Sequence, residues 1–332
     1  MNTTSPRYKI KSELGLSRQT EKWWLKVWRY CHWLSLDVAI GASISAAWVN
    51  YSWGGTFSWW ASLALSAGAL WVYSVDHWAD ALKVAQKPPE VLSPRRKFYV
   101  KSRWFLLCLA LISTILGVWA AIHLPWSTLG FGAVIVLACG AYLWITQKRQ
   151  DSHKPVRYPK EMVVTSLYAL ALTAWPLSQS FDNFNATPLK GCLTSCFIFT
   201  LAWANVCLIS VHERKADAAE GMPSLALWLG EYTTRNVGNG ILKLAFSLWL
   251  IRAYICISLL PEKTISLTEV NLQKTEGIAY FQLGIDHLIS GAMLYTLWFL
   301  YNRPEWSALY CRYRRWADII FLYPAWVLMI SS

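Results

Sequence analysis

NVCLISVHERKADAAEGMPSLALWLG, running from Asn205 to Gly230, joins the end of a membrane-length apolar run to a carboxylate pair and an amphipathic return. Glu213 and Asp217 are four residues apart. On a continued helix they project from one face, with about 6 Å between β-carbons. Carboxylates held that close repel each other unless a cation or a proton sits between them. The pair therefore has two readings. One is a seat for a divalent metal. The other is a solvated helix end in which Glu213 and Asp217 pair with Arg214, Lys215 or a neighbouring loop.

The same spacing occurs at the end of another apolar run, where Asp76 and Asp80 stand in VYSVDHWADALK. Two such pairs on the same side of a bilayer would face each other across a bundle. Mg²⁺ suits that arrangement, because it keeps several waters and shares a few carboxylates with substrate phosphates.

Composition sets the solvent. Only 15% of the 332 residues are charged and 55% are hydrophobic, well below the roughly 25% charged content of soluble domains. With apolar runs of about 20 residues, this is the profile of an all-α polytopic membrane bundle. The length suits one bundle without a separate soluble domain. The first thirty residues are polar and basic and contain no secretory signal. The eight cysteines lie mostly in apolar runs and form no CxxC, so they read as small core residues.

Taken in order, residues 1–33 form a cytoplasmic N-terminal tail. It ends in an interfacial helix, Ser17 to Trp33, that mixes Trp23, Trp24 and Trp28 with Lys22, Lys26 and Arg29. Residues 34–332 carry nine expected spans. These run from about Leu34 to Tyr51, Trp59 to Lys83, Trp104 to Leu124, Leu129 to Thr146, Met162 to Leu177, Gly191 to Val211, Val237 to Leu260, Ile278 to Tyr301 and Trp316 to Ile330. Segments on one side of these spans hold 26 of the 31 Lys and Arg, against three on the other side. That bias makes the first side cytoplasmic, with the N-terminus inside and both carboxylate pairs on the cytoplasmic face of a cell or inner membrane. The net charge of +12 lies almost wholly in alternate loops, with no basic helix interleaved with exposed aromatics. It is thus a topology signal, and not a nucleic-acid surface.

Read as D-x3-G-x2-[ST]-L-[AP]-x2-L-G, the run Asp217, Gly221, Ser224, Leu225, Ala226, Leu229 and Gly230 resembles the second aspartate motif of the UbiA superfamily of intramembrane prenyltransferases. Glu213 falls where that family has the first Asp of DxxxD. Asp76 and Asp80 align with the last two aspartates of its NDxxDxxxD. The chain departs from the family at Val72 and Tyr73, which stand where the family has Asn-Asp, and at Glu213, which replaces Asp.

The resemblance implies a nine-helix bundle and a Mg²⁺-dependent transferase that moves an isoprenyl group from a polyprenyl diphosphate to a lipophilic acceptor. On this reading Asp76, Asp80, Glu213 and Asp217 hold the metal, and Lys83, Lys87, Arg95, Arg96 and Lys215 are the cationic clamps for the diphosphate. Each of these basic residues reads equally as a topology charge meeting anionic lipid. The allylic cation left behind needs electron-rich walls, for which Tyr73, Trp78, Tyr142, Tyr168 and Trp203 are candidates; each reads also as packing. Asn205, eight residues before Glu213, points toward the same cavity. His77 and His212 adjoin the motifs as candidate proton acceptors. Two alternatives stand beside prenyl transfer: a terpene cyclase of the same superfamily, which needs no acceptor, and a non-catalytic relative that binds lipid, transports or scaffolds. Away from the motifs, Arg252 and Asp286 sit at equal depth in consecutive spans and are expected to pair in a structural role. Asp318, four residues after Arg314, is expected to pair with it.

Overall fold

Which helix sits in the middle is decided by small side chains. The computed structural model describes residues 23–150, 160–182, 188–258, 270–308 and 312–331. Helix α1 (Trp23–Trp33) turns sharply into α2 (Leu36–Ser52) through Ser35, whose φ of 57° lies in the left-handed region. Ala42, Ser45, Ala46 and Ala47 keep α2 narrow, so its neighbours close around it and bury Trp48 and Val49 completely.

Next comes α3 (Trp59–Val84), whose first turn is capped by Ser58, the hydroxyl accepting from the Ala61 N–H at 3.3 Å. A short helix, α4 (Pro94–Lys101), starts with Pro at its first position and Ser93 as its cap. After it the chain runs through α5 (Arg103–Ala121), α6 (Trp126–Gln150), α7 (Lys160–Asp182) and α8 (Pro188–Glu220). The remaining elements are α9 (Leu225–Leu229), α10 (Glu231–Ser258), α11 (Val270–Asn302), α12 (Pro304–Ala308), α13 (Arg312–Ile319) and α14 (Ala325–Ser331).

Five of these helices, α5, α6, α8, α10 and α11, are long and apolar enough to cross a membrane. Their outer faces expose large apolar side chains, among them Leu111, Leu137 and Tyr254, the surface that lipid and not water solvates. The chain is an integral, multi-pass membrane protein with an all-α fold.

The other expected spans differ for physical reasons. Helix α2 has 17 residues with Asp37 in its first turn, and α3 carries Asp76, Asp80 and Lys83. Helix α3 lines a cavity with Tyr73, Asp76, His77 and Asp80, which a helix can do only by giving up apolar side chains, whereas Asp37 of α2 is bonded to His32. The ninth expected span is not one helix. It breaks at Pro324, which lacks an N–H and crowds the preceding turn, into α13, a 3₁₀ turn at Ile320–Leu322, and α14. The tail up to residue 22, the basic link at 151–159, and residues 183–187, 259–269, 309–311 and 332 lie outside the described residues.

At the end of the bundle away from the carboxylate motifs, Arg252 of α10 and Asp286 of α11 form the expected buried ion pair. The Trp48 indole N–H of α2 donates to the same carboxylate at 2.6 Å, and the guanidinium lies 5.1 Å from the Trp48 ring. Three helices are thereby tied at one point in the interior. Close packing elsewhere depends on glycine: Gly238 of α10 lies under the Tyr301 ring, letting the Tyr301 hydroxyl reach the Ala204 carbonyl of α8 at 2.7 Å.

Candidate active site

Spacing along two helices builds the walls of one cavity of about 230 Å³. On α3, Tyr73, Asp76, His77 and Asp80 fall at i, i+3, i+4 and i+7, so all four face it. On α8, Asn205, Ile209, Glu213 and Asp217 form an i, i+4, i+8, i+12 stripe facing the same space. The two carboxylate pairs therefore meet in one cavity. Tyr142, Tyr168 and Phe321 supply aromatic wall, and Arg95, Arg96 and Arg314 supply positive charge.

The motif after Asp217 has a structural explanation. Helix α8 ends in a Schellman turn: the Gly221 N–H bonds the Ala218 carbonyl at 3.3 Å, and the Met222 N–H bonds the Asp217 carbonyl at 2.8 Å. Gly221 has φ of 64°, which a side chain would strain. After the turn, α9 buries Leu225 and Ala226, and the Ala226 N–H donates to the Ser210 hydroxyl of α8 at 2.8 Å. Gly230, at φ of 85°, then lets the chain swing into α10. The glycines and the small Ser-Leu-Ala segment thus fold the return of the chain beneath Asp217.

Three arginines meet the acids. Arg96 donates from Nη1 to Asp80 at 2.6 Å and from Nε to Glu220 at 3.3 Å. All three residues are at most 4% exposed. Glu220 also accepts the Ser93 N–H at 2.8 Å, while the Lys87 ammonium donates to its backbone carbonyl. Burial works against the Arg96 charge, but Asp80 and Glu220 outweigh it and raise its pKa. Arg314 donates to Glu213, which also accepts the Tyr313 hydroxyl at 3.2 Å and lies 3.7 Å from Arg95. Here too burial opposes the charge and Glu213 more than restores it, so the Arg314 pKa is raised. Tyr99 stacks on His77 at 4.3 Å, and burial pushes its hydroxyl above the ordinary phenol value.

No family model matches the sequence, nor does any curated protein. A solved structure of digeranylgeranylglyceryl phosphate synthase in membranes superposes with a TM-score of 0.49 at 12% identity, covering 92% of this chain and 95% of that one. The chain is similar to that protein in the course of its helices.

Of the candidates named from sequence, Tyr73, Asp76, Asp80, Arg95, Arg96, Asn205, Glu213 and Asp217 line the cavity. Lys83, Lys87 and Lys215 do not. Lys215, two residues past Glu213 on a 3.6-residue helix, turns to the exposed side, and Lys87 is spent on the Glu220 carbonyl. Trp78 packs instead with Tyr99 and Leu106, and Trp203 lies beside Phe199. His77 lines the cavity and bonds the Ser35 hydroxyl at 3.0 Å, whereas His212 bonds Ser307 and stacks on Tyr313.

Asp318 corrects its expected pairing. Arg314 turns to Glu213, and Asp318 faces His32 at 3.3 Å across the cavity rim. A helix repeat puts residues 314 and 318 near each other, but the stronger charge pairing lies across the bundle. Carboxylate spacing also passes over Glu220 and Glu161. Glu220, just before Gly221, carries the one available signal: an acidic group at a helix end bearing a glycine cap, where a cation is the favoured neighbour.

Proposed function

We propose that the chain is a membrane-embedded, Mg²⁺-dependent transferase that moves an isoprenyl group from a polyprenyl diphosphate to a lipophilic acceptor, with its motif end facing the cytoplasm. What carries this reading is the convergence of the α3 and α8 carboxylates, three arginines and aromatic rings on one cavity. The resemblance of the motif to the UbiA superfamily points the same way.

The donor set suits Mg²⁺. Six carboxylates (Asp76, Asp80, Glu161, Glu213, Asp217 and Asp318) line the cavity against three arginines, an acidic excess of three. All are hard oxygen donors. Among the described residues, no three of Asp76, Asp80, Glu213 and Asp217 converge within reach of a single ion. Mg²⁺ would thus be held by Asp76 and Asp217, with Asp80 and Glu213 one turn away on each helix, and by the substrate's phosphate oxygens. Bound there, it would neutralise the charge that builds on the diphosphate as the carbon–oxygen bond breaks.

The chain's own groups do the rest. Arg95, Arg96 and Arg314 grip the diphosphate, their carboxylate partners fixing their direction. Tyr73, Tyr142 and Tyr168 face the allylic cation with their rings and keep water from it. The acceptor's nucleophilic atom bonds the allylic carbon, and its proton passes to His77, whose Nδ1 has no partner among the described residues.

Purified protein in detergent, given Mg²⁺, polyprenyl diphosphates of several lengths and a panel of lipophilic alcohols, phenols and glycerol phosphates, is expected to release diphosphate only when an acceptor is added. Asp217→Asn and chelation of Mg²⁺ are each expected to lower the rate at least ~100-fold, the scale of losing a group that stabilises transition-state charge. Release with a cyclised product and no acceptor would replace the transferase by a cyclase. Absence of release with every donor would overturn the enzymatic reading.

A further inference from the structure

At one corner of the bundle, α1, α4 and the start of α5 bring exposed cations together with exposed aromatic rings. On α1, Trp23, Lys26, Val27 and Tyr30 recur at i, i+3, i+4 and i+7, so they form one stripe, and all four are exposed. Rings hold this helix against α4: Phe98 lies 5.6 Å from Tyr30 and 5.3 Å from Trp33. Beneath them Tyr99 and Leu106 bury a small apolar cluster that ties α1, α4 and α5 to each other. On α4, Lys97 and Lys101 stand one turn apart and exposed. Arg103 and Trp104 follow in the first turn of α5, both exposed, with the guanidinium 5.8 Å from the indole ring.

Two observations say what solvates this corner. First, α5 is one of the helices long and apolar enough to cross a membrane, and past Arg103 it exposes Trp104, Phe105, Leu107 and Leu111. The change from cations to lipid-facing apolar side chains falls at residues 103–104, which puts the corner at headgroup depth. Trp and Tyr are the residues that settle there. Second, the charge is of one sign. Residues 23–33 and 94–104 contain no Asp or Glu, and Lys26, Lys97, Lys101 and Arg103 have no carboxylate partner among the described residues. The cations that line the cavity, Arg95, Arg96 and Arg314, all meet carboxylates.

We infer that this corner binds the headgroup of an anionic phospholipid, with Lys26, Lys97, Lys101 and Arg103 supplying the positive charge and Trp23, Tyr30 and Trp104 seated beside it in the interface. Helix α4 gives the site a consequence. Arg95, Arg96 and Tyr99 turn inward to line the cavity, while Lys97 and Lys101 turn outward. A headgroup held on the outer face therefore steadies the short helix that carries two of the cavity's arginines. The site does not depend on the transferase reading.

The test places the full chain in nanodiscs of equal parts phosphatidylcholine and phosphatidylglycerol and weighs it, by native mass spectrometry, with the lipids it keeps. The unaltered chain is expected to retain phosphatidylglycerol over phosphatidylcholine by at least ~5-fold, the scale of one basic residue at an anionic surface. Lys97→Gln with Lys101→Gln is expected to lose that preference, and Lys97→Arg with Lys101→Arg to keep it. Removing two exposed cations elsewhere at the motif end, Lys215→Gln with Arg303→Gln, is expected to leave it in place. Equal retention of the two lipids by the unaltered chain would overturn the site. So would a loss of preference in the Lys215→Gln, Arg303→Gln variant as large as in the Lys97→Gln, Lys101→Gln variant, since the effect would then be the general attraction of basic loops. All four side chains are exposed, and melting temperatures equal to that of the unaltered chain verify that the variants fold. Failure of diphosphate release counts against the transferase reading and not against this site.

Discussion

Arg96 is the residue on which two buried carboxylates depend. Its guanidinium spans Asp80 at the end of α3 and Glu220 at the end of α8, so a single side chain ties the two motif helices together through α4. Removing it takes the guanidinium away from two carboxylates, each at most 3% exposed. Arg96→Ala is therefore expected to destabilise the protein by about 3–5 kcal/mol, the usual cost of breaking a buried pair. Arg96→Lys should recover only part, because an ammonium lacks the two-sided fork. Thermal unfolding in detergent checks both, and an unchanged melting temperature for Arg96→Ala would show that the triad holds nothing. The pair at the far end of the bundle offers a cleaner comparison. Asp286→Ala leaves the wholly buried Arg252 and the Trp48 N–H without their acceptor, whereas Asp286→Ala with Arg252→Leu removes the charge along with it. The double variant is expected to melt higher than the single one. Equal melting would mean that the pair contributes nothing.

At the scale of the element, the end of α8 matters most, since Asp217 is held by the turn that follows it. Gly221 caps that helix in the left-handed region, and the Met222 N–H bonds the Asp217 carbonyl itself. Gly221→Ala forces a β-carbon into that conformation and against the Lys87 ammonium, 3.0 Å away. The expected cost is about 1 kcal/mol of stability. A larger proportional loss of diphosphate release should accompany it, because the cap sets where Asp217 points. Activity falling only as far as the folded fraction falls would place the cap's role in stability alone. Proline acts in the opposite sense at α13 and α14, where a break in the last span lets α13 turn its Arg314 and Asp318 into the cavity.

For the whole molecule, the charge bias across the spans leads to an expectation about orientation. In a cysteine-free background, Lys215→Cys, exposed at the motif end, should react with a membrane-impermeant maleimide only from the cytoplasmic side. Labelling from outside intact cells would invert the topology. Much of the architecture was legible because the bilayer writes length and hydropathy directly into sequence: the helix course from α2 to α11 follows the expected spans. The four-residue carboxylate spacing likewise announced one face on each of two helices. The partners of the carboxylates at the motif end were not legible. Asp318 lies 3.3 Å from His32 while its helical neighbour Arg314 pairs with Glu213, and Glu220 became the second partner of Arg96 with little local signal.

Hydropathy, loop charge and helical period are properties of a segment alone, so the all-α membrane bundle and the two acidic faces were determined before any packing, and the Arg252–Asp286 pairing followed from equal depth in consecutive spans. Which charges meet depends on how helices far apart in the chain cross. Only the tertiary structure could therefore decide that Arg96 bridges Asp80 and Glu220, that Arg314 serves Glu213, and that His32, Asp37 and Asp318 converge. In a medium that cannot solvate them, buried charges take whichever partner the crossing of the helices brings within reach.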